Sequence, residues 1–372
     1  MLISSVLILL LWFVMKTDAL PNSSSGVEKS TLEYEYNKYH PMSEIYAWID
    51  QIVEENTGVV TSSVFGRTFE GRNMTYLKIS VNPDGKQKKA IWMDCGIHAR
   101  EWIAPAVCQW FVKEILRTFK TDKKLNKMVQ NLDFYVMPVL NIDGYVFSWT
   151  NKTTRLWRKS RSAPPDDCDC YGVDLNRNFN FLWGTVGVSF NCCASTYPGS
   201  AAVSETESQA LTKFLSNRTD EILGYFTIHS YSQKILLPYG HPNVSAPNYN
   251  ELMKVGLAAA KAMKSVHGME YEVGNSATIL YPFSGNSQDW ARLMGIPFSF
   301  TFELRDKGTF AFELPEDQIQ PVCEEVYVGV YHIIKYIHDK TFHNAADSGA
   351  VLCSFMMWTI VMCSYITLTT LL

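Results

Sequence analysis

The stretch AIWMDCGIHAREW, residues 90–102, joins a short apolar run to a group of polar residues. Apolar runs of this length are typical of strands buried on both faces, and similar runs occur at 134–140, 225–228 and 298–302. Amphipathic helix patterns lie between these runs, at 43–55, 103–119, after a possible capping box at 204–207, and at 316–337. Strands that alternate with helices predict an α/β fold: a mixed, largely parallel, twisted β-sheet with helices on both faces.

Polar side chains that can bind a metal follow three of the predicted strands. His98 and Glu101 follow the first strand, His229 follows the strand at 225–228, and Glu303 follows the strand at 298–302. Ligands in open α/β sheets bind beyond the carboxyl ends of the strands. Two histidines and one carboxylate form a ligand set of catalytic zinc, so His98, Glu101 and His229 predict one Zn²⁺ per chain. The alternative is that these are core polar groups, satisfied by hydrogen bonds.

Composition excludes some classes of protein. The chain has 372 residues, of which 47% are hydrophobic and 19% charged, and its net charge is −4. These values exclude a disordered chain and weigh against a protein that binds nucleic acid. No break in composition separates residues 34–342, which we predict to form one catalytic domain. The sequence gives no indication of the oligomeric state.

Both ends of the chain differ from its middle. Residues 1–19 are predicted to be a signal peptide, with an uncleaved anchor as the alternative, and residues 20–33 a short linker. Residues 343–372 combine small residues with an uncharged tail, which predicts a GPI-attachment signal; the alternative is a retained membrane helix. The candidate attachment residues are Asn344, Asp347 and Ser348. We therefore expect the protein at the extracellular, apical face of the plasma membrane.

Glycosylation motifs and cysteines agree with the secretory pathway. Five N-x-S/T sequons predict glycosylation at Asn22, Asn73, Asn151, Asn217 and Asn243. Two of the nine cysteines lie in the tail, and the seven that remain leave one unpaired if the others form disulfides.

Seven motifs occur in order between residues 34 and 342: HAREW, RLWRK, DLNRN, IHSYSQ, LLPYG, SGNSQDW and FTFELRD. With these motifs the chain resembles the A/B-type zinc metallocarboxypeptidases, which remove single residues from the C-termini of peptides and proteins. The resemblance implies that His98, Glu101 and His229 bind zinc, and that Glu303 is the general base. It further implies that Arg158 polarises the scissile carbonyl, and that Asn176 and Arg177 bind the C-terminal carboxylate of the substrate. Tyr281 would cover the bound terminal residue, Arg100 and Tyr231 would contact further residues of the peptide, and Asp174 would orient His98.

Disulfides are also implied by the resemblance. Cys95 with Cys108 and Cys170 with Cys193 match bridged positions. Cys168 and Cys192 are candidates for a third bridge, but because Cys192 and Cys193 are adjacent the pairing stays open. Cys323 is then the odd cysteine.

The sequence departs from most of the family at two places. Residues 20–33 leave no room for an inhibitory prosegment, which would need about a hundred residues, so we expect activity without proteolytic activation. Gln288 occupies the family's main selectivity position, where an arginine goes with acidic substrates and an aliphatic residue with apolar ones. With the anchored tail, the chain resembles a surface-bound branch that prefers acidic residues. We expect acidic or polar C-terminal residues; the alternatives are apolar residues or a catalytically silent peptide-binding protein, against which the intact Glu303 and zinc ligands argue.

Overall fold

The computed structural model describes residues 34–82 and 85–342. The predicted signal peptide, the linker, Asn22 and the predicted GPI-attachment signal with its candidate residues lie outside the described residues and stay predictions. In the described part of the chain, no helix is both long enough and apolar enough to cross a bilayer.

A mixed β-sheet runs through the described residues. Its eight strands, in the order β1-β2-β4-β3-β5-β8-β6-β7, are β1 Val60–Arg67, β2 Asn73–Ile79, β3 Lys89–Cys95, β4 Leu132–Met137, β5 Ile222–Ser230, β6 Lys234–Leu237, β7 Glu272–Asn275 and β8 Phe298–Leu304. The central strands β4, β3, β5 and β8 are parallel to one another. The pairs β1–β2, β2–β4 and β6–β8 are antiparallel, and the edge strand β7 is parallel to β6. The predicted α/β class with a mixed, largely parallel sheet is confirmed.

Helices cover both faces of the sheet, as predicted. They are α1 Met42–Glu55, α2 Ile103–Thr118, α3 Lys123–Asn131, α4 Ile142–Ser148, α5 Thr206–Ser216, α6 Tyr249–His267, α7 Ser276–Ile279, α8 Ser287–Leu293 and α9, described at 319–342. Phe214 of α5 packs on Trp92 of β3, while Phe111 of α2 packs on Phe134 of β4. Trp92 and Phe134 lie on opposite faces, because Phe134 pairs with Ile91 and neighbouring residues of a strand alternate between faces.

Local sequence explains where several elements begin and end. β3 is buried along six of its seven residues, which agrees with a strand covered on both faces. Asp122 accepts hydrogen bonds from two backbone amides at the start of α3, and Gly268 ends α6 in the left-handed conformation. The predicted capping box at 204–207 is wrong. Helix α5 begins at Thr206 without a side-chain cap, because Glu207 instead accepts a hydrogen bond from the backbone amide of Phe69.

Three disulfides link the described cysteines. They join Cys95 to Cys108, Cys168 to Cys192 and Cys170 to Cys193, which settles the pairing that the sequence left open. Cys323 is free and buried. The sequons at Asn73, Asn151, Asn217 and Asn243 are exposed, as a glycosylation site requires, and their modification stays a prediction.

Candidate metal centre and substrate cavity

The candidate site lies where three parallel strands end. β3, β5 and β8 are neighbours in the sheet, so their carboxyl ends lie at one edge. His229 on β5 is directly opposite Glu303 on β8. After β3 the chain turns at Gly96, whose φ of +66° is unfavourable for residues with a side chain. This turn leads to His98 and Glu101, three residues apart.

The side chains of His98, Glu101 and His229 converge on one point. Nδ1 of His98 lies 2.7 Å from Oε1 of Glu101, and Nδ1 of His229 lies 3.0 Å from Oε2 of Glu101. The two Nδ1 atoms are 3.1 Å apart, and all three residues are buried. Zinc holds nitrogen and oxygen ligands at about 2.0–2.1 Å, so tetrahedral ligand atoms lie roughly 3.3 Å apart. The donor set and its spacing therefore fit a zinc ion with three protein ligands.

Each histidine uses its second ring nitrogen for a hydrogen bond. Nε2 of His98 lies 3.2 Å from Oδ1 of Asp174, and Nε2 of His229 lies 3.3 Å from Oγ1 of Thr227. Such partners fix the orientation of a metal-binding imidazole. Asp174 was predicted behind His98, but Thr227 was not predicted. Its position two residues before His229 on one strand, which places both side chains on the same face, was the available signal.

Charges around the centre favour the metal-binding protonation states of His98 and of the two carboxylates, Glu101 and Asp174. Burial acts to lower the pKa of His229, but the adjacent carboxylate of Glu101 raises it above its ordinary value. Burial and the positive charge of Arg158 lower the pKa of His98, which keeps its imidazole neutral. Burial alone would raise the pKa of Glu101, but the adjacent His98 and His229 hold it below its ordinary value. Asp174 is buried as well, yet Arg158, His98 and Arg177 keep its pKa well below the ordinary value. Both carboxylates are therefore ionised at neutral pH.

A cavity of about 290 Å³ opens beside the three ligands. It brings together nine of the residues predicted for the site: His98, Arg100, Glu101, Arg158, Asn176, Arg177, Tyr231, Tyr281 and Glu303. Leu236, Phe283 and Thr301 contribute further wall. Tyr281 is 47% exposed, whereas the zinc-ligand candidates are almost fully buried. The cavity thus combines a buried polar end with an open aromatic rim.

Arg177 is held as an anchor inside this cavity. Its Nε donates to the carbonyl of Gly187 at 3.0 Å, and its Nη1 donates to the carbonyl of Asn176 at 2.8 Å. Its Nη2 is 3.4 Å from the hydroxyl of Tyr281, and its guanidinium lies against the ring of Phe283. A guanidinium has five N–H donors, so two remain for a ligand. A carboxylate matches this arrangement.

Glu303 has the properties of a base. Burial raises its pKa to about 8, although the nearby His229 acts in the opposite direction. Arg158 lies across the cavity with its Nε and Nη2 bonded to Oδ2 of Asp174, at 3.0 and 2.8 Å. Its Nη1 is left to face a ligand.

Gln288 does not line the cavity, contrary to the expectation that it contacts the substrate. Its amide nitrogen donates to the carbonyls of Leu236 and Ser299, and its amide oxygen accepts from the hydroxyls of Thr301 and Ser276. Because both ends of the buried amide are occupied by protein groups, Thr301 and not Gln288 forms this part of the wall.

Comparison with known proteins agrees with this geometry. A family model described as zinc carboxypeptidase matches residues 45–329. Human carboxypeptidase O is 52% identical over 330 residues, which cover 89% of this chain and 87% of the human protein. Bovine carboxypeptidase B is 47% identical over 312 residues, 84% of this chain and 74% of that protein. The solved structure of bovine thrombin-activatable fibrinolysis inhibitor in complex with tick carboxypeptidase inhibitor matches with a TM-score of 0.76 at 39% identity, covering 82% of this chain and 99% of that one.

Proposed function

The chain belongs to the zinc carboxypeptidase family, and we propose that it removes single amino acids from the C-termini of peptides and proteins with one Zn²⁺ held by His98, Glu101 and His229. The family prediction from the motifs is confirmed, and among the relatives human and bovine carboxypeptidase O are 52% and 51% identical to this chain. The observation that carries the proposal is the convergence of three ligand atoms beside a cavity that also holds Glu303 and Arg177. A zinc exopeptidase needs those groups together.

Peptide hydrolysis divides into tasks that the residues can perform. Zinc bound at this centre supplies a Lewis acid. Glu303, with its raised pKa, takes the proton from the attacking water and returns it to the leaving amine, because a base works best when its pKa is near the working pH. Arg158 donates from Nη1 to the carbonyl oxygen as negative charge develops there, and its two bonds to Asp174 keep it in place.

The remaining residues select the end of the chain. Arg177 binds the terminal carboxylate with its two remaining N–H groups, assisted by the side-chain amide of Asn176, whose oxygen already accepts from the backbone amide of Ser287. Tyr281 covers the bound residue, and Arg100 and Tyr231 contact residues further up the peptide. An internal stretch of peptide has no carboxylate for Arg177, which restricts cleavage to the terminus.

We infer a preference for uncharged C-terminal side chains over acidic ones. The Gln288 amide has no donor left for a substrate carboxylate, and the ammonium group of Lys234 on β6 is paired with Glu272. Thr301 gives its hydroxyl proton to Gln288 and so faces the cavity as an acceptor. We therefore propose polar, uncharged residues as preferred substrates, with apolar residues next because Leu236 and Phe283 line the same cavity.

A panel of peptides that differ only in the last residue tests both the reaction and this preference. We expect release of the last residue to stop with a chelator and to return with Zn²⁺. Activity that survives complete removal of metal would reject the zinc reaction in favour of another mechanism, and zinc binding without any release would support the silent peptide-binding alternative. If C-terminal Glu is released fastest, the uncharged preference is wrong.

Location at the outer cell surface is part of the proposal and depends on the two ends of the chain. The exposed sequons and the three disulfides support passage through an oxidising, glycosylating compartment. Phosphoinositide-specific phospholipase should release the full chain from intact cells if a GPI anchor holds it. Retention after this treatment, with detergent required for extraction, would indicate a membrane helix.

A further inference from the structure

A buried line of polar groups lies behind His229. The indole nitrogen of Trp92 donates to Oδ2 of Asp94 at 2.7 Å, and the hydroxyl of Thr227 donates to Oδ1 of Asp94 at 2.7 Å. The same hydroxyl oxygen lies 3.3 Å from Nε2 of His229. Trp92, Asp94 and Thr227 are fully buried, and His229 is 1% exposed. We propose that Asp94 and Thr227 are positioning residues that hold a proton on Nε2 of His229, so that Nδ1 is the nitrogen presented to a metal.

The chemistry of the donors fixes the direction of each hydrogen bond. An indole N–H can only donate, so Asp94 accepts at Oδ2. The Thr227 hydroxyl has one proton, which it gives to Oδ1 of Asp94 in the shorter of its two contacts. Only its lone pairs are then left for the histidine, so Nε2 of His229 must carry the hydrogen. Nδ1 is then the nitrogen left for a metal, and this is the atom that faces Glu101 and His98. Without a metal, the carboxylate of Glu101 can attract a second proton to Nδ1, but Nε2 keeps its own.

The sheet explains why a hydroxyl is needed between carboxylate and histidine. Asp94 on β3 is paired directly with Thr227 on β5, and His229 lies two residues further along β5. Two residues of a strand span about 6.6 Å, so the short side chain of Asp94 reaches Thr227 and not the imidazole. His98, in contrast, meets the carboxylate of Asp174 directly. Each histidine is thus oriented by a carboxylate: Asp174 contacts His98 directly, and Asp94 acts on His229 through the hydroxyl of Thr227.

Three substitutions separate this role from simple packing. Thr227→Ser keeps the hydroxyl. Thr227→Val has nearly the same shape but cannot hydrogen-bond, so it removes the constraint on the proton. Asp94→Asn should reverse the direction: its amide oxygen must face the indole N–H, so its NH₂ faces Thr227, whose own proton then points to Nε2 of His229. Thr212→Val on α5 is the control, since it removes a hydroxyl that bonds only within its own helix.

The direct readout is the ¹⁵N NMR spectrum of the histidines in metal-free protein. We expect Nε2 of His229 to carry a proton in the unsubstituted protein, in Thr227→Ser and in Thr212→Val, whatever the state of Nδ1. Thr227→Val should allow Nε2 to lose this proton, and Asp94→Asn should leave a proton on Nδ1 alone. The proposal is overturned if Nε2 of His229 carries no proton in the unsubstituted protein, or if Asp94→Asn leaves the proton on Nε2 in a folded protein.

Zinc affinity, measured by competition with a chelator, gives a second readout. Loss of a group that orients a metal ligand weakens binding about 10- to 100-fold, so we expect this loss for Thr227→Val and Asp94→Asn, and a change below about threefold for Thr227→Ser. Equal affinity in all variants would remove the link to the metal. The inference rests on the proposed function for its link to zinc, but the tautomer of His229 in metal-free protein tests the hydrogen-bond line even if zinc binds elsewhere.

Discussion

Arg177 provides the sharpest test of how the cavity recognises its substrate. Two of its five N–H groups remain free for a carboxylate, and each hydrogen bond between charged groups contributes about 1.5–3 kcal/mol. The free C-terminal carboxylate should therefore contribute about 3–6 kcal/mol to binding. Since 1.4 kcal/mol is a factor of ten, a peptide acid should bind roughly 10²- to 10⁴-fold more tightly than its C-terminal amide.

The measurement uses Glu303→Gln as the background, so that binding is not followed by cleavage. Calorimetry gives the Kd of an N-blocked dipeptide and of the same dipeptide with a C-terminal amide. Arg177→Met should reduce the ratio of the two Kd values to about ten or less, and Arg177→Lys should lie between, because a point charge lacks the forked geometry. Using the ratio cancels any general damage to the fold.

Arg117→Met serves as the control, because Arg117 is an exposed residue of α2 paired with Glu114. It removes the same charge with the same substitution and should leave the ratio unchanged. If Arg177→Met still prefers the acid by the full factor, another group binds the carboxylate and the assignment of Arg177 is refuted.

Three further predictions concern catalysis, pH and packing. Glu303→Gln should keep its zinc content but lose about 10²- to 10⁴-fold in kcat, and turnover within tenfold of the unsubstituted protein would show that Glu303 is not the base. Burial raises the pKa of Glu207 from 4.5 to about 7, so between these values the folded state keeps a proton that the unfolded state has released. The unfolding free energy should therefore fall between pH 5 and 8, by up to about 3 kcal/mol more than in Glu207→Gln. Urea unfolding at several pH values measures this, and an equal dependence on pH in the two proteins would contradict it. Gln288→Leu removes the amide that donates to the buried carbonyls of Leu236 and Ser299, and should lower the unfolding free energy by about 2–5 kcal/mol. A loss below about 1 kcal/mol would show that this amide does not stabilise the cavity wall.

Much of the fold and of the site could be predicted because the signals are local. An apolar run such as AIWM at 90–93 indicates a strand that is buried on both faces. Polar residues that follow such a run indicate the edge of the sheet at which the strands have their carboxyl ends, where ligands bind. His98 and Glu101 are three residues apart, so their approach needs only one turn of chain. The motifs around His229 and Glu303 identified the family, and the cavity brings the predicted polar residues together.

Gln288 shows why contacts between distant segments could not be predicted from the sequence. In the sequence it stands at a position that selects substrates, and a glutamine amide offers both a donor and an acceptor. Which partners use them depends on Leu236, Ser299, Thr301 and Ser276, which come from β6, β8 and α7. No pattern near residue 288 specifies those contacts, so the sequence alone does not predict that protein groups occupy both ends of the amide.

By itself, the sequence determined the fold class, the family and the candidate zinc ligands, because each depends on the order of residue types along a short segment. Tertiary structure alone decided that Cys168 pairs with Cys192, that protein groups occupy both ends of the Gln288 amide, and that Asp94 lies opposite Thr227 behind His229. These outcomes depend on strand register and on distances between segments far apart in the chain. A hydrogen bond acts over about 3 Å, so only the folded arrangement determines which distant partners meet.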